Sequence, residues 1–127
     1  MNRIALINFT QKSHRELAAL LKGDRYQVFR ASKPENLKES SGDDGLLVAI
    51  VDIDNKPEVK DLIQAVAKQI PSIRIFCLSE RKLHPELEDL ISRYVYACLK
   101  KPIETSELFY LLDCVKKDHR NNRGNES

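Results

Sequence analysis

Residues Leu46–Asp52 (LLVAIVD) hold six consecutive apolar side chains closed by one carboxylate, and the turn former GDDG at 42–45 bounds them upstream. An apolar run of this length with no polar face reads as a β-strand in the middle of a sheet covered on both sides. Outward from this strand, apolar runs and helical patterns alternate. Upstream, residues 3–9 (RIALINF) predict a strand, residues 12–22 a helix with Leu17, Leu20 and Leu21 on one face and Thr10 and Ser13 as caps, residues 26–31 (YQVFRA) a strand, and residues 34–40 a short helix opened by Pro34. Downstream, a helix over 57–69 carries Val59, Leu62, Ile63 and Val66, with Ile70 next on the same spacing before Pro71 closes it. A strand follows over 73–79 (IRIFCLS). A helix over 85–94 with Leu87, Leu90 and Ile91, a short strand over 96–99 and a helix over 106–117 with Leu108, Leu111, Leu112 and Val115 complete the pattern. This is (βα)5, an α/β chain. Right-handed crossovers with helices on both faces predict a doubly wound parallel five-stranded sheet in the order 2-1-3-4-5.

The chain has 127 residues, which suits one domain, and its 42% hydrophobic and 31% charged residues suit one layered core under a mixed-charge surface. Four of the 21 basic and two of the 19 acidic side chains fall in the last twelve residues, so the rest of the chain is neutral. A neutral body argues against direct nucleic-acid binding, which leaves a basic footprint. Residues 1–117 are expected to form the domain and residues 118–127 a disordered polar tail or linker. No apolar run is long enough to span a bilayer or form a signal-peptide core, so a cytoplasmic location without membrane attachment is expected. Cys77, Cys98 and Cys114 are odd in number and widely spaced, which predicts buried reduced thiols rather than a disulfide framework or zinc site, with Cys77 and Cys114 as core residues rather than redox groups. His14, His84 and His119 are scattered and read as solvated side chains.

Ligands of doubly wound sheets gather beyond the carboxyl ends of the strands. There the sequence places Asn8 and Phe9 after the first strand, Asp52 and Asp54 after the third, Ser79 after the fourth and Lys101 after the fifth. A carboxylate, a hydroxyl and a lysine converging on one crevice suit phosphoryl chemistry, the carboxylate as nucleophile and the others as ligands for the phosphoryl oxygens. No GxGxxG follows the first strand, so a dinucleotide site is unsupported.

From about Arg3 to Lys117 the chain resembles the receiver domain of two-component response regulators, most specifically in Leu99-Lys100-Lys101-Pro102 followed by a helix. The resemblance implies a flavodoxin-like fold without enzyme activity of its own. It also implies Asp52 as phosphoacceptor, Ser79 as switch hydroxyl, Lys101 as the invariant lysine and a cis Lys101–Pro102 bond. Cys98 takes the place where receivers often carry an aromatic rotamer switch.

The sequence departs from the family where Mg²⁺ would bind. The usual acidic pair after the first strand reads Asn8-Phe9, which leaves Asp52 and Asp54 as the anionic ligands for a hard cation. With each lost charged contact worth about 1.5–3 kcal/mol, Mg²⁺ should bind at least about tenfold to a hundredfold more weakly. Lys56 stands where the family has proline, near enough to the site to substitute a positive charge for the metal. The expected function is therefore that of a degenerate receiver, or pseudo-receiver, with no cofactor or weakly bound Mg²⁺. Its partners would be an output domain or separate protein, a sensor histidine kinase, or a second copy. Tyr94, Tyr96, Phe109 and Tyr110 mark the face of the fourth helix, fifth strand and fifth helix, where receivers commonly dock. Phe109 and Tyr110 adjoin Leu108, so at least one should be exposed. Two rivals stand beside this reading: a phosphorylatable receiver with atypical metal ligation at Asp52, and a small flavodoxin-like enzyme or ligand-binding domain using the same crevice.

Overall fold

The alternation along the central strand is the key to the architecture. In the computed structural model of the chain, Val48 and Ile50 point to one face of the sheet and Ala49 and Val51 to the other, and all four are buried. The structure describes residues 2–23, 26–31, 46–54, 59–80 and 88–125. The helix expected over 34–40, the turn over 42–45, Lys56, Pro57, His84 and the start of the helix expected from Pro85 lie outside the described residues.

The strands are β1 (Asn2–Ile7), β2 (Tyr26–Ala31), β3 (Leu46–Asp52), β4 (Arg74–Ser79) and β5 (Val95–Lys100). They form one parallel sheet in the order β2-β1-β3-β4-β5, as the sequence predicts. The helices are α1 (Gln11–Lys22), α2 (Val59–Gln69), α3 (Glu88–Tyr94) and α4 (Thr105–Asn125). One face of the sheet carries Ile4, Leu6, Val48, Ile50, Phe76 and Leu78 under Leu17 and Leu21 of α1 and Leu108, Leu112 and Val115 of α4. The opposite face carries Ala5, Ile7, Ala49, Val51, Ile75 and Cys77 under Ile63 and Val66 of α2, beside which α3 packs. Helices on both faces leave β1, β3 and β4 no solvent side, so those strands lack polar alternation.

Thr10 caps α1 in an extended conformation, its hydroxyl oxygen accepting the Ser13 N–H at 3.1 Å. That bond satisfies one of the free donors at the helix start.

The C-terminus differs from expectation: α4 does not end at Lys117 but continues through Asn125, so the polar tail begins within a helix. The apolar stripe ends at Val115, and two contacts just beyond it hold the helix to the sheet. Lys116 Nζ lies 4.5 Å from the centroid of the Tyr26 ring, and the Tyr96 hydroxyl donates to Asp118 Oδ2 at 3.1 Å. Extending a formed helix adds one hydrogen bond per residue without a new nucleation cost, so polar residues can follow. Among the described residues, no helix is long and apolar enough to cross a membrane.

Candidate functional site

β1 stops at Ile7, two residues short of the expected strand, because Asn8 adopts a left-handed conformation with φ 67°. Asparagine tolerates that region better than most residues. The turn aims the Asn8 amide across the strand ends, where Nδ2 donates to the Asp52 backbone carbonyl at 2.8 Å. It also sends Phe9 into the core, where it is 8% exposed. The Ile53 N–H donates to the Leu78 carbonyl at 3.1 Å and the Lys101 N–H to the Ser79 carbonyl at 2.9 Å. These bonds continue the sheet ladder past the ends of β3 and β5. Asp52, Ser79 and Lys101 are thereby brought onto one crevice, as the sequence order suggests.

Asp54 is the hub of that crevice. Its Oδ1 accepts the Ser79 hydroxyl at 3.0 Å, and its Oδ2 accepts the Glu80 N–H at 2.9 Å and lies 2.9 Å from Lys101 Nζ. Lys101 Nζ also lies 2.8 Å from Asp52 Oδ2, while Asp52 Oδ1 accepts the Asp54 N–H at 3.1 Å in an Asx turn. One ammonium therefore bridges two carboxylates, and the three groups carry a net charge of −1. Burial by itself pushes the Asp54 carboxyl up, but the hydrogen bonds from Lys101, the Glu80 N–H and Ser79, with the Lys101 charge, outweigh it and hold Asp54 below the ordinary carboxylate value. Burial likewise pushes Lys101 down, and its bonds to Asp52 and Asp54 with their charges outweigh that and raise it.

The place of Asp54 two residues after Asp52 is visible in the sequence, but its reach to Ser79, Lys101 and Glu80 is not. A D-x-D spacing at a strand end brings two carboxylates close, and it was the available signal.

A cleft of about 340 Å³ opens beside this cluster, floored by Asp52 and Lys101 and walled by Phe9, Leu17, Leu20 and Ile103. Phe9 makes apolar the wall where a second acid would stand in a metal site. The carboxylate oxygens that face Lys101 already accept an ammonium proton, and among the described residues no group of three or more histidine, cysteine, aspartate or glutamate side chains is placed to hold a metal ion. Two of the four Asp52 and Asp54 oxygens that a divalent cation could use are thus engaged by Lys101.

The aromatic residues divide. Tyr96 stacks on Phe76 with centroids 5.9 Å apart and lies under the Arg74 guanidinium at 5.9 Å, and Phe109 packs against the same core. Tyr94 and Tyr110 are exposed, at 39% and 67%. The expectation that Phe109 and Tyr110 cannot both turn inward holds, whereas Tyr96 and Phe109 complete the core instead of presenting free surface. The Lys101–Pro102 bond is cis.

No protein-family model and no curated protein matches the sequence. Solved structures do match. A response regulator receiver domain protein from Clostridium thermocellum is 18% identical with a TM-score of 0.75, over 94% of this chain and 98% of that one. The signal receiver domain of an HD domain-containing protein from Pseudomonas fluorescens Pf-5 is 18% identical with a TM-score of 0.77, over 97% and 92%. NtrX from Brucella abortus is 15% identical with a TM-score of 0.78, over 98% of this chain but 28% of that one. With its strand order, its crossovers and the polar cluster at the strand ends, the chain has the fold of response regulator receiver domains.

Proposed function

We propose that the chain is a pseudo-receiver, a regulatory module of bacterial two-component-type signalling that acts by protein–protein interaction rather than as an enzyme or an Mg²⁺-dependent phosphorylation switch. The observation that carries this reading is the engagement of the Asp54 carboxylate by the Ser79 hydroxyl, the Lys101 ammonium and the Glu80 N–H. Two of these groups, Ser79 and Lys101, are the hydroxyl and the lysine whose place at the strand ends suits them to bind incoming phosphoryl oxygens. A phosphoryl group on Asp52 would bring a charge of about −2 beside Asp54, with Lys101 shared between the two carboxylates. Without acids at positions 8 and 9, Mg²⁺ binds too weakly to offset that repulsion.

Output then comes from a face that is formed without phosphorylation. Exposed Tyr94 and Tyr110 lie on α3 and α4 beside β5, the edge strand with one side unpaired among the described residues, and they are the anchors for an output domain, a separate partner or a second copy. Residues 118–127 serve as a polar linker or tail. The receiver domain from Pseudomonas fluorescens belongs to a larger HD domain-containing protein, which supports coupling of this fold to an output domain. A sensor histidine kinase is a partner under the second reading, a phosphorylatable receiver with atypical ligation, which the convergence of Asp52, Ser79 and Lys101 favours.

The test is intact-mass analysis with acetyl phosphate and Mg²⁺, paired with beryllofluoride titration followed by amide shifts around Asp52. No phosphoryl gain and no saturable shift are expected. A stoichiometric gain that requires Mg²⁺ and disappears in Asp52→Asn selects the phosphorylatable receiver instead.

A further inference from the structure

Cys77 and Cys98 stand directly opposite each other in the register of β4 and β5. Cys77 is 1% exposed within the core under α2, whereas Cys98 is exposed on the edge strand. As register partners in a parallel pair, their side chains project to the same face of the sheet. Neighbouring strands run about 4.7–4.9 Å apart, within the roughly 4.4–6.8 Å between Cα atoms that a disulfide spans. The further approach of the Cβ atoms falls to β5, which has a neighbour on one side and already carries a register shift next to the pair.

We propose that Cys98 and Cys77 form a peroxide-reactive thiol pair, in which Cys98 is oxidised first and Cys77 resolves it into an intrachain disulfide between β4 and β5. The oxidant is hydrogen peroxide or an organic hydroperoxide. The Cys98 thiolate attacks one peroxide oxygen and the O–O bond breaks, giving Cys98 sulfenic acid and hydroxide, or alkoxide from a hydroperoxide, which takes up the proton that the thiol released. The Cys77 sulfur then attacks the Cys98 sulfur. The S–O bond breaks and the departing hydroxyl leaves as water with the Cys77 proton. Two thiols lose two electrons in all, and the peroxide gains them.

The division of roles follows from position and charge. A hydrogen bond from Cys77 lowers the Cys98 thiol below its ordinary value against a smaller opposing effect of burial, which raises the thiolate share of Cys98. The same bond, then burial and the Cys98 charge, push Cys77 far up, so it keeps its proton until a sulfenic acid forms opposite it. The pair sits two residues before Ser79 on β4 and three before Lys101. Closing the disulfide therefore clamps the strands immediately below the polar cluster. None of this depends on phosphorylation at Asp52.

The experiment treats the reduced full chain with a small excess of hydrogen peroxide, blocks remaining thiols by alkylation, and reads intact mass and tryptic peptides. Trypsin separates the cysteines: Cys77 falls in residues 75–81, Cys98 in 94–100, and Cys114 in 101–116, since the Lys101–Pro102 bond resists cleavage. The expected result is a monomer lighter by about 2 Da before alkylation, with the first two peptides joined and Cys114 alkylated. Cys98→Ser should abolish the loss, and Cys77→Ala should leave a sulfenic acid at Cys98 that dimedone traps. Cys98 sulfinate with Cys77 still open to alkylation after unfolding, a disulfide-linked dimer through Cys98, or oxidation of Cys114 alone would each overturn the proposal. If Cys77→Ala fails to fold, the wild-type peptide map decides the matter by itself.

Discussion

Ser79, at the end of β4, donates its hydroxyl hydrogen to Oδ1 of Asp54 at 3.0 Å, across 25 positions of sequence. The bond ties the residue in the switch-hydroxyl place to a carboxylate that the chain itself supplies. Replacing that carboxylate should therefore make room at the site. In Asp54→Ala, Ser79, the Glu80 N–H and one side of Lys101 lose the Asp54 carboxylate, and beryllofluoride or phosphate-like anions should perturb the amides of residues 79 and 80 where they do not in the wild type. Equal perturbation in both proteins would show that Asp54 does not compete for the site.

Asn8→Asp alone should destabilise the domain. The Asn8 amide donates to the Asp52 carbonyl at 2.8 Å, and an ionised carboxylate has no proton to give and adds a negative charge beside Asp52. A loss of about 1–3 kcal/mol is expected from chemical denaturation. Mg²⁺ should restore part of it if the added acid creates a cation site. Phe9→Asp removes a buried ring as well, so the double change should be the less stable of the two without metal.

The acid side of the stability profile should carry Asp54. Its folded pKa lies below the ordinary 3.8, so its stabilising contribution is complete above that value and is lost as the pH falls through the lower, folded value. Lys101 is shifted the other way, above 10.5, so its contribution is complete below 10.5 and is lost as the pH rises through the folded value. Thermal melts of Asp54→Asn should show a shallower decline on acidification than wild type. Parallel curves below pH 4 would remove Asp54 from the account.

Lys101→Met should cost about 1.5–3 kcal/mol near neutral pH, because Asp52 and Asp54 then share a crevice without their cation. Acidification should narrow the gap from wild type as the carboxylates protonate. A deficit independent of pH would point to lost packing by the lysine stem rather than lost charge.

Tyr110→Ala should change folding stability by no more than about 0.5 kcal/mol, as an exposed site permits, while Phe109→Ala, packed on the core, should lower the melting temperature. If the α3–β5–α4 face docks a partner or a second copy, Tyr110→Ala should weaken that association by about 1–2 kcal/mol in sedimentation or titration. Unchanged mass and affinity in both variants would remove Tyr110 from the interface.

Cys98 alkylation by iodoacetamide should rise with pH about a midpoint below the ordinary thiol value. In Cys77→Ala the midpoint should move up, because the hydrogen bond that lowers it is gone. A midpoint at the ordinary thiol value in the wild type would mean that the two thiols do not interact in solution.

The sequence by itself determined the sheet and what its strands end in. Uninterrupted apolar runs such as Leu46–Asp52, alternating with helical stripes, narrow the right-handed arrangements to doubly wound sheets, of which the order 2-1-3-4-5 is the simplest, and in that order the strand ends deliver Asp52, Ser79 and Lys101 to one crevice. Hydrophobic periodicity records which face a residue takes. It does not record how a turn bends, and the left-handed Asn8 and the Asx turn that sends Asp54 back to Ser79 belong to the tertiary structure. The same is true of register. β4 and β5 pair Ile75 with Val95 but Phe76 with Ala97, leaving Tyr96 as an extra residue, and this one-residue shift places Cys98 opposite Cys77 and lets Tyr96 stack on Phe76. Only the packed neighbours select such a shift, because the local pattern of β5 suits either register. The continuation of α4 beyond Lys117 was invisible for a related reason: its polar residues carry no stripe, and it begins at Asp118, which Tyr96 from elsewhere in the chain holds.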